Sequence, residues 1–554
     1  MLLVGQCYIS RLIAKLATVI GIAAAASGCS HVELSGVSFS QSATTVEGYD
    51  LIEVTANVAP APGHSCFTES EFSGWFERQD GSKRWTVEGF CDAQDGRVFR
   101  IRFMPPAPGE YKYFVAYRAD GKTKETTGSF RAINGHRRGP VRVDSQYPWH
   151  FIWEGTGEHY FFNGTTAYWL AGWSDEGIIR ASIDRLHRLK VNRIRVTVAG
   201  RSEQTYGEPV KPGPTWTSFT TAWPAESPDD IYHPRFDYTA FHVSYWQKLD
   251  RLVQYARERD MVVSLVLDMN DSRVHPAPGS DDEYRFLRYA VARLAAYSNV
   301  TWDLGDDLDQ YRDEQWTRRT GMFLKNLDPY QHLATSHPVS NSHQDRTADW
   351  FDFTSFQEWS RHQHAFMLKE RRREIEIGRI IPQTNEEYGY EDHYPSWSAG
   401  PGSESSDALR RTAWDIAMAG GYQTTGETAR RGTNVGPDSG GGWVNGRGDD
   451  TMTMLQGYGH MVDFFTSFEW WKTEPHDELV GPGGYCLAQP GQRYVVYLPH
   501  GGTTAVQIGE GTFRGSQFNP RNGEKVELPS AHGPVWNSPV LPDAEDWAFL
   551  LERK

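Results

Sequence analysis

Val262-Val-Ser-Leu-Val-Leu267 and Val300-Thr-Trp-Asp-Leu-Gly-Asp-Asp307 are two short β-rich runs, and between them Leu287, Val291 and Leu294 recur at helical spacing. Strand, amphipathic helix, strand is the unit of a parallel sheet, because a parallel partner is reached only through a crossover lying on the sheet's face. The unit repeats outward in both directions. Upstream, Leu249, Leu252, Val253 and Ala256 form an apolar face before Val262, and Ile179, Ile183, Leu186 and Leu189 form another before Ile194-Arg-Val-Thr-Val198. Downstream come Leu333-Ala-Thr-Ser-His337, Phe351-Asp-Phe-Thr-Ser-Phe356, Ile380-Ile-Pro-Gln-Thr384 and Tyr422-Gln-Thr-Thr425. With Tyr160-Phe-Phe-Asn-Gly164 as the first, eight strands are predicted. The fold class expected is α/β, a (β/α)8 TIM barrel over residues 142–476. An open doubly wound sheet is the alternative, but no glycine-rich phosphate turn follows the first strand.

The flanks change period. In residues 31–138, Leu51-Ile-Glu-Val-Thr-Ala-Asn-Val58, Val98-Phe-Arg-Ile-Arg-Phe103 and Tyr111-Lys-Tyr-Phe-Val-Ala-Tyr117 alternate with period two. Turns at Pro108-Gly109 and Asp120-Gly121 separate them, the pattern of an antiparallel β-sandwich. Asn134-Gly-His-Arg-Arg-Gly-Pro140 reads as a linker. Residues 478–554 return to short β segments, including Tyr494-Val-Val-Tyr-Leu498 and Trp547-Ala-Phe-Leu-Leu551, with Asn519-Pro-Arg-Asn-Gly-Glu524 as a hairpin turn; a small C-terminal β-sandwich is expected. At the other end, Arg11 and Lys15 precede an apolar run from Leu16 to Ala26, and Ala26-Ser-Gly-Cys29 resembles the bacterial lipoprotein cleavage box. Residues 1–28 are therefore set aside as a lipoprotein signal peptide, with a plain signal peptide as the alternative. The expectation is an exported lipoprotein of the bacterial cell envelope, in the periplasm or at the outer membrane, touching the membrane only through a lipid on Cys29.

A chain of 554 residues is too long for one ordinary domain. Its 39% hydrophobic and 23% charged residues make it globular, and its net charge of −15 excludes a nucleic-acid partner, which requires a basic surface. Aromatics reach 13%, with 20 tryptophans. That suits stacking on sugar faces as well as aromatic β cores. Cys66 and Cys91 lie in the same predicted sandwich, either paired or as two buried thiols, and Cys486 reads as a core residue.

Two of the predicted strands end on acidic doublets. Asp306-Asp307 closes the fourth, and Glu386-Glu387 follows the seventh within Pro382-Gln-Thr-Asn-Glu-Glu387-Tyr-Gly-Tyr-Glu391. In a parallel barrel the reactive side chains sit where strands end. Cleaving a glycosidic bond needs two carboxyl groups, one to protonate the leaving oxygen and one to attack or to activate water. The pattern thus points to glycoside hydrolysis on a carbohydrate substrate; solvated loop charge is the bland reading of each doublet. Neighbours on a strand face opposite ways, so one member of each doublet is expected to reach the pocket.

These stretches resemble the apiosidase-like barrel family, and more broadly the clan A retaining glycoside hydrolases, whose carboxylates sit at strands four and seven. In that family the fourth strand commonly reads Trp-x-Leu-Gly-Gly-Asp, and the seventh reads Pro followed five residues later by Glu, then x-x-Tyr-Glu. This chain has Trp302-Asp-Leu-Gly-Asp-Asp307, and Pro382 followed by Glu387-Tyr-Gly-Tyr-Glu391. Phe161-Phe-Asn-Gly-Thr-Thr-Ala-Tyr-Trp169 and the order of sandwich, barrel and small β domain are similar too. The resemblance implies Asp307 as general acid/base and Glu387 as nucleophile, with retention, on an extracellular polysaccharide or its oligosaccharides. The departure is Asp306, where the family has glycine.

Strand-end position nominates Asp268, Asn270, Trp302, His337, Trp359 and Tyr390 as substrate-binding residues, with Asp271 and Gln357 beside them. Tyr388 or Tyr390 is placed to orient Glu387, or both form an aromatic wall. Arg195 and Arg201 would either grip an acidic group or sit in internal ion pairs. Trp169, Trp173 and Trp443 are stacking or core residues. His337, His343, His362 and His364 lack a defined third ligand, and Asp306-Asp-Leu-Asp309 lacks the glycine and terminal glutamate of a calcium loop, so no metal and no cofactor is expected. The segment from Gly200 to Tyr238, rich in Pro, Thr and aromatics, is expected to shape the pocket. Two rival readings remain: an inverting enzyme, and a carbohydrate-binding lipoprotein whose barrel has lost catalysis.

Overall fold

The computed structural model describes residues 36–59, 63–198, 222–227, 235–268, 275–340, 343–391, 403–427, 448 and 452–554. Its centre is an eight-stranded parallel sheet. In chain order the strands are Asn163–Thr166, Arg193–Thr197, Val262–Asp268, Val300–Gly305, Ala334–Thr335, Thr354–Gln357, Gln383–Glu387 and Tyr422–Thr424. Neighbours run five, four, three, two, one, eight, seven, six, so the sheet curls into a nearly closed barrel, each predicted strand taking its place. The first begins later than expected, at Asn163, because Phe161 and Phe162 pack into an aromatic floor. The seventh begins after Pro382, whose nitrogen cannot join the ladder.

The ladder is interrupted between strands five and six. Among the described residues no α-helix separates them, and strand five is two residues long. Side chains bridge this seam: Thr335 Oγ1 donates to the Phe353 carbonyl at 2.7 Å, and His337 Nδ1 lies 2.9 Å from Ser355 Oγ. The other crossovers carry helices Glu176–Arg188, Val243–Arg257, Asp281–Leu294, Glu314–Leu327, Gln363–Ile377 and Ser406–Met418, and Met454–Thr466 follows strand eight. Their starts are local: Asp175, Ser280, Asp313 and Ser405 each accept a hydrogen bond from a backbone N–H of the first turn.

A three-stranded meander (Val141–Val143, Phe151–Trp153, His159–Tyr160) closes the floor, with Phe151 against Phe162, Phe353 and Tyr422 at the strands' N-terminal ends. Before it stands a sandwich of a four-stranded and a five-stranded sheet, with Phe76 and Phe103 stacked 4.5 Å apart between them. Buried Arg102 and Arg293 both reach Asp250, tying sandwich to barrel. The chain ends in a six-stranded antiparallel sheet with a two-stranded ribbon, the hairpin at Asn519–Glu524 joining Thr512–Phe518 to Lys525–His532. Arg410 of the barrel pairs with buried Asp546, and Trp414 stacks on Tyr497. Among the described residues no helix is long and apolar enough to cross a membrane.

Candidate active site

Strand two alternates, so Arg193 and Arg195 point into the barrel while Ile194 and Val196 face the helices. Both guanidinium groups are fully buried and meet carboxylates. Arg195 reaches Asp303 at 2.8 Å, Glu386 at 3.0 Å and Asp306 at 3.3 Å, and Arg193 reaches Glu386 at 2.8 Å and Ser264 Oγ at 2.7 Å. Of the two readings of Arg195, the internal ion pair is the one present. Burial drives the Glu386 carboxyl upward, but Arg193 and Arg195 overcome it and hold the group below the usual carboxylate range.

Above this layer lies the rim. One ligand atom from each of Asp306, Asp307, His337 and Glu387 lies within 4.8 Å of the others. The expectation that only one residue of the Asp306-Asp307 pair faces the pocket is corrected. Asp307 leaves the strand with φ of 51°, in the left-handed region, so alternation ends and both carboxyl groups turn the same way. Gly305 makes room for this turn, since a Cβ there would stand 2.6 Å from Leu308 and 2.8 Å from Tyr311 Oη. Tyr311 Oη in turn donates to the Asp306 carbonyl at 3.1 Å, and Tyr168 Oη donates to the Asp306 carboxylate at 2.9 Å while accepting from Arg195 at 3.0 Å.

At strand seven the pairing steps from Phe356–Asn385 to Gln357–Glu387, passing over Glu386. This bulge leaves Glu386 inside the barrel and delivers Glu387 to the rim. Tyr390 and Gln357 lie beside the Glu387 carboxylate and favour its anion, and His337 Nε2 lies 3.4 Å from it. Tyr388 points elsewhere, donating to Gln423 Oε1 at 2.8 Å with Tyr458 Oη 2.6 Å away; the positive φ of Gly389 lets two tyrosines a residue apart part company.

The rim is electrostatically unlike the layer below. Burial, reinforced by the charges of Asp306 and Glu387, raises the Asp307 carboxyl well above the usual range. Burial pushes Glu387 up to about 7, against the opposing influence of Arg195, Tyr390 and Gln357. Burial and the nearby Arg195 lower His337, which keeps it neutral. Among the described residues this is the one grouping whose ligand atoms could surround a cation, with the Arg195 guanidinium already beside it.

Several nominated residues lie elsewhere. Asp268 is buried between Arg312 at 3.0 Å and His275 at 2.8 Å, an internal ion pair rather than an open sugar ligand. Trp302 is 1% exposed and points outward from its strand, donating to Asp328 at 2.9 Å, so it is a core residue and not a stacking platform. His337 and Tyr390 are also buried, turned toward carboxylates. Trp359 is half-buried at the rim, edge-on to Tyr390 with ring centroids 5.7 Å apart. Trp169 and Trp173 are core. Asn270, Asp271, Arg201, Trp443, Cys29 and most of Gly200–Tyr238 lie outside the described residues. His343 and His364 face Arg312 O and Asp477, away from each other's partners, and Asp309 accepts from the backbone of Val339 and Ser340. Glu391 caps the final barrel helix through Thr453 and Met454 N–H. Tyr168 and Tyr311 were not nominated; a hydroxyl just past a strand end was their only signal.

Residues 186–427 match the model of the apiosidase-like catalytic domain, and residues 45–118 match a domain of unknown function, DUF5060. No curated protein matches the chain. Among solved structures, a candidate glycoside hydrolase from Bacteroides vulgatus is similar over 92% of this chain and 100% of its own, at 18% identity and a TM-score of 0.77. A family 5 glycoside hydrolase from the same organism covers 75% of this chain and 93% of its own, at 14% identity and a TM-score of 0.59. A further glycoside hydrolase covers 75% of this chain and 97% of its own, at 15% identity and a TM-score of 0.58. The chain has the sandwich-and-barrel fold of these proteins.

Proposed function

We propose, from the match of residues 186–427 to the apiosidase-like catalytic domain, that this chain hydrolyses glycosidic bonds with retention, Asp307 serving as acid/base and Glu387 as nucleophile. The observation that carries the reading is proximity. An oxygen of Asp307 lies within 4.8 Å of an oxygen of Glu387. Retention works with carboxyl groups roughly 5 to 5.5 Å apart, whereas inversion needs roughly 6.5 to 9.5 Å to admit a water between them.

The electrostatics divide the labour. Asp307 is raised by burial and by the neighbouring carboxylates of Asp306, Glu387 and Asp309, so it keeps a proton for the leaving oxygen. Glu387 is the group that Arg195, Tyr390 and Gln357 favour as an anion, so it ionises first and attacks the anomeric carbon. Departure of the protonated leaving group makes Asp307 a base. It then takes a proton from the water that releases the sugar, and two displacements restore the starting configuration. The substrate class is an extracellular polysaccharide or its oligosaccharides, which fits export and a lipid on Cys29; uptake of labelled palmitate by wild type and not by Cys29→Ser is the expected sign of that anchor.

The test is hydrolysis of a broad panel of plant, algal and microbial glycans by wild type, Asp307→Asn and Glu387→Gln, with proton NMR of the first-formed anomer. Retained configuration from wild type alone is the expected result. Activity surviving in both variants would overturn the site, an inverted first product would overturn the mechanism, and binding without turnover would favour a barrel that has lost catalysis.

A further inference from the structure

Away from the rim, the fold brings together two nucleophilic side chains that the proposed chemistry does not use. Cys66 and Cys91 are both buried, with their Sγ atoms 2.8 Å apart. Cys66 lies on the loop leading into strand Ser70–Arg78 of the five-stranded sheet, and Cys91 ends strand Phe90–Cys91 of the four-stranded sheet. The two chain segments also hold the same barrel helix, Asp281–Leu294. Phe67 stands edge-on to Tyr289 at 6.2 Å and to Phe241 at 5.5 Å, Phe90 is 5.9 Å from Tyr289, and Tyr289 Oη donates to the Cys91 carbonyl at 2.7 Å. A cavity of about 450 Å³ between sandwich and helix is lined by both cysteines together with Glu88, Arg285 and Arg288, which gives a small thiol reagent a way in. The other described cysteine, Cys486, is buried in the C-terminal core and does not compete.

We propose that Cys66 and Cys91 are the site of a disulfide that locks together the two sheets of the N-terminal sandwich where they meet the barrel. Closing from 2.8 Å to the bonded separation of about 2.0 Å requires less than an ångström of side-chain movement. The oxidant is itself a disulfide, such as oxidised glutathione or an oxidised dithiol protein. The Cys66 sulfur attacks it, forming a mixed disulfide and expelling one thiolate. The Cys91 sulfur then attacks Cys66 Sγ and expels the second. Two electrons pass to the oxidant's disulfide, and the two thiol protons end on the departing sulfurs. The order follows from the surroundings: the hydrogen bond from Cys91 lowers the Cys66 thiol, and the same bond, with burial, raises Cys91.

The full chain is incubated with oxidised glutathione, denatured, alkylated and mapped by mass spectrometry, and its thermal midpoint is compared before and after reduction. The expected result is a peptide joining Cys66 to Cys91, with Cys486 alkylated, and a midpoint roughly 5 °C higher in the oxidised form. The Cys66→Ser/Cys91→Ser variant is expected to show no response to reductant. If that variant does not fold, the wild-type comparison decides alone. Alkylation of both cysteines, retained glutathione, or a bridge to Cys486 would overturn the pairing; a Cys66–Cys91 bridge with an unchanged midpoint would overturn the lock.

Discussion

Glu386 and Glu387 are neighbours in sequence with opposite surroundings, and the contrast separates the barrel's inner layer from its rim. In the layer, Glu386 and Asp303 lie against Arg193 and Arg195, and each charge has an opposite charge within 3.0 Å. On the rim, Glu387 is buried and Asp307 half-buried, they lie beside each other in place of a dedicated guanidinium, and both are shifted upward. Asp306 stands at the boundary, tied down by Tyr168 and Arg195. Enclosure alone therefore does not mark a reactive carboxyl. Asp303 in the layer and Asp306 beside it are shifted upward as well, despite Arg195, so what marks the reactive pair is its place at the rim, where an oxygen of each carboxyl lies within 4.8 Å of the other.

If that division is right, conservative substitutions on its two sides must fail in different ways. Asp307→Asn and Glu387→Gln are expected to lower kcat/KM by about 10³-fold or more. Their thermal midpoints should stay at or above wild type, since Glu387→Gln removes a poorly compensated charge and Asp307→Asn replaces a protonated, neutral carboxyl by a neutral amide. Glu386→Gln is the mirror case. It leaves Arg193 and Arg195 buried with an unanswered charge, and stability is expected to fall by about 3–5 kcal/mol. Activity measurements on the glycan that wild type cleaves, paired with denaturant melts of all three variants, decide the matter. Rim and layer variants that lost stability alike would dissolve the comparison.

Trp302 sharpens it at lower cost to the molecule. It lies on the same strand as Asp303 but points away from the barrel, where its indole N–H meets Asp328. Trp302→Phe keeps an aromatic ring but removes that donor and part of the buried indole, so a loss of about 1–3 kcal/mol of stability is expected with kcat/KM unchanged. A raised KM with an unchanged melt would restore it as a sugar-stacking residue.

The same residues show what can be read from a linear sequence. The eight strands were legible as short apolar or β-branched runs, most of them beside a helical face, a local property. The side of the strand was legible as far as alternation holds. It predicted that Glu386 and Glu387 part, which they do, helped by a bulge opposite Gln357. It also predicted that Asp306 and Asp307 part, and they do not, because the left-handed turn at Asp307 depends on how Gly305, Leu308 and Tyr311 pack. Partners distant in sequence were beyond reach altogether. Nothing near Asp268 announces Arg312, 44 residues on, and nothing near Trp302 announces Asp328.

The smallest expected effect tests the rim from within. The Tyr390 hydroxyl lies beside Glu387 and favours its anion, and Trp359 packs edge-on against the tyrosine ring. Tyr390→Phe keeps the ring and its contact but removes the hydroxyl. Glu387 must be ionised to attack, so kcat/KM falls as pH drops through its pKa, which stands at about 7. Without the hydroxyl the anion loses a stabilising partner, the pKa rises, and the acid limb of the profile should move to higher pH by about one unit. At pH well above the limb the variant should approach wild type, because the substitution changes how much of Glu387 is charged and not what the charged form does. A uniform loss at every pH would mean that Tyr390 positions the nucleophile or meets the sugar. A limb that moved to lower pH would mean that the hydroxyl favours the protonated carboxyl, reversing the assignment of which rim group keeps the proton.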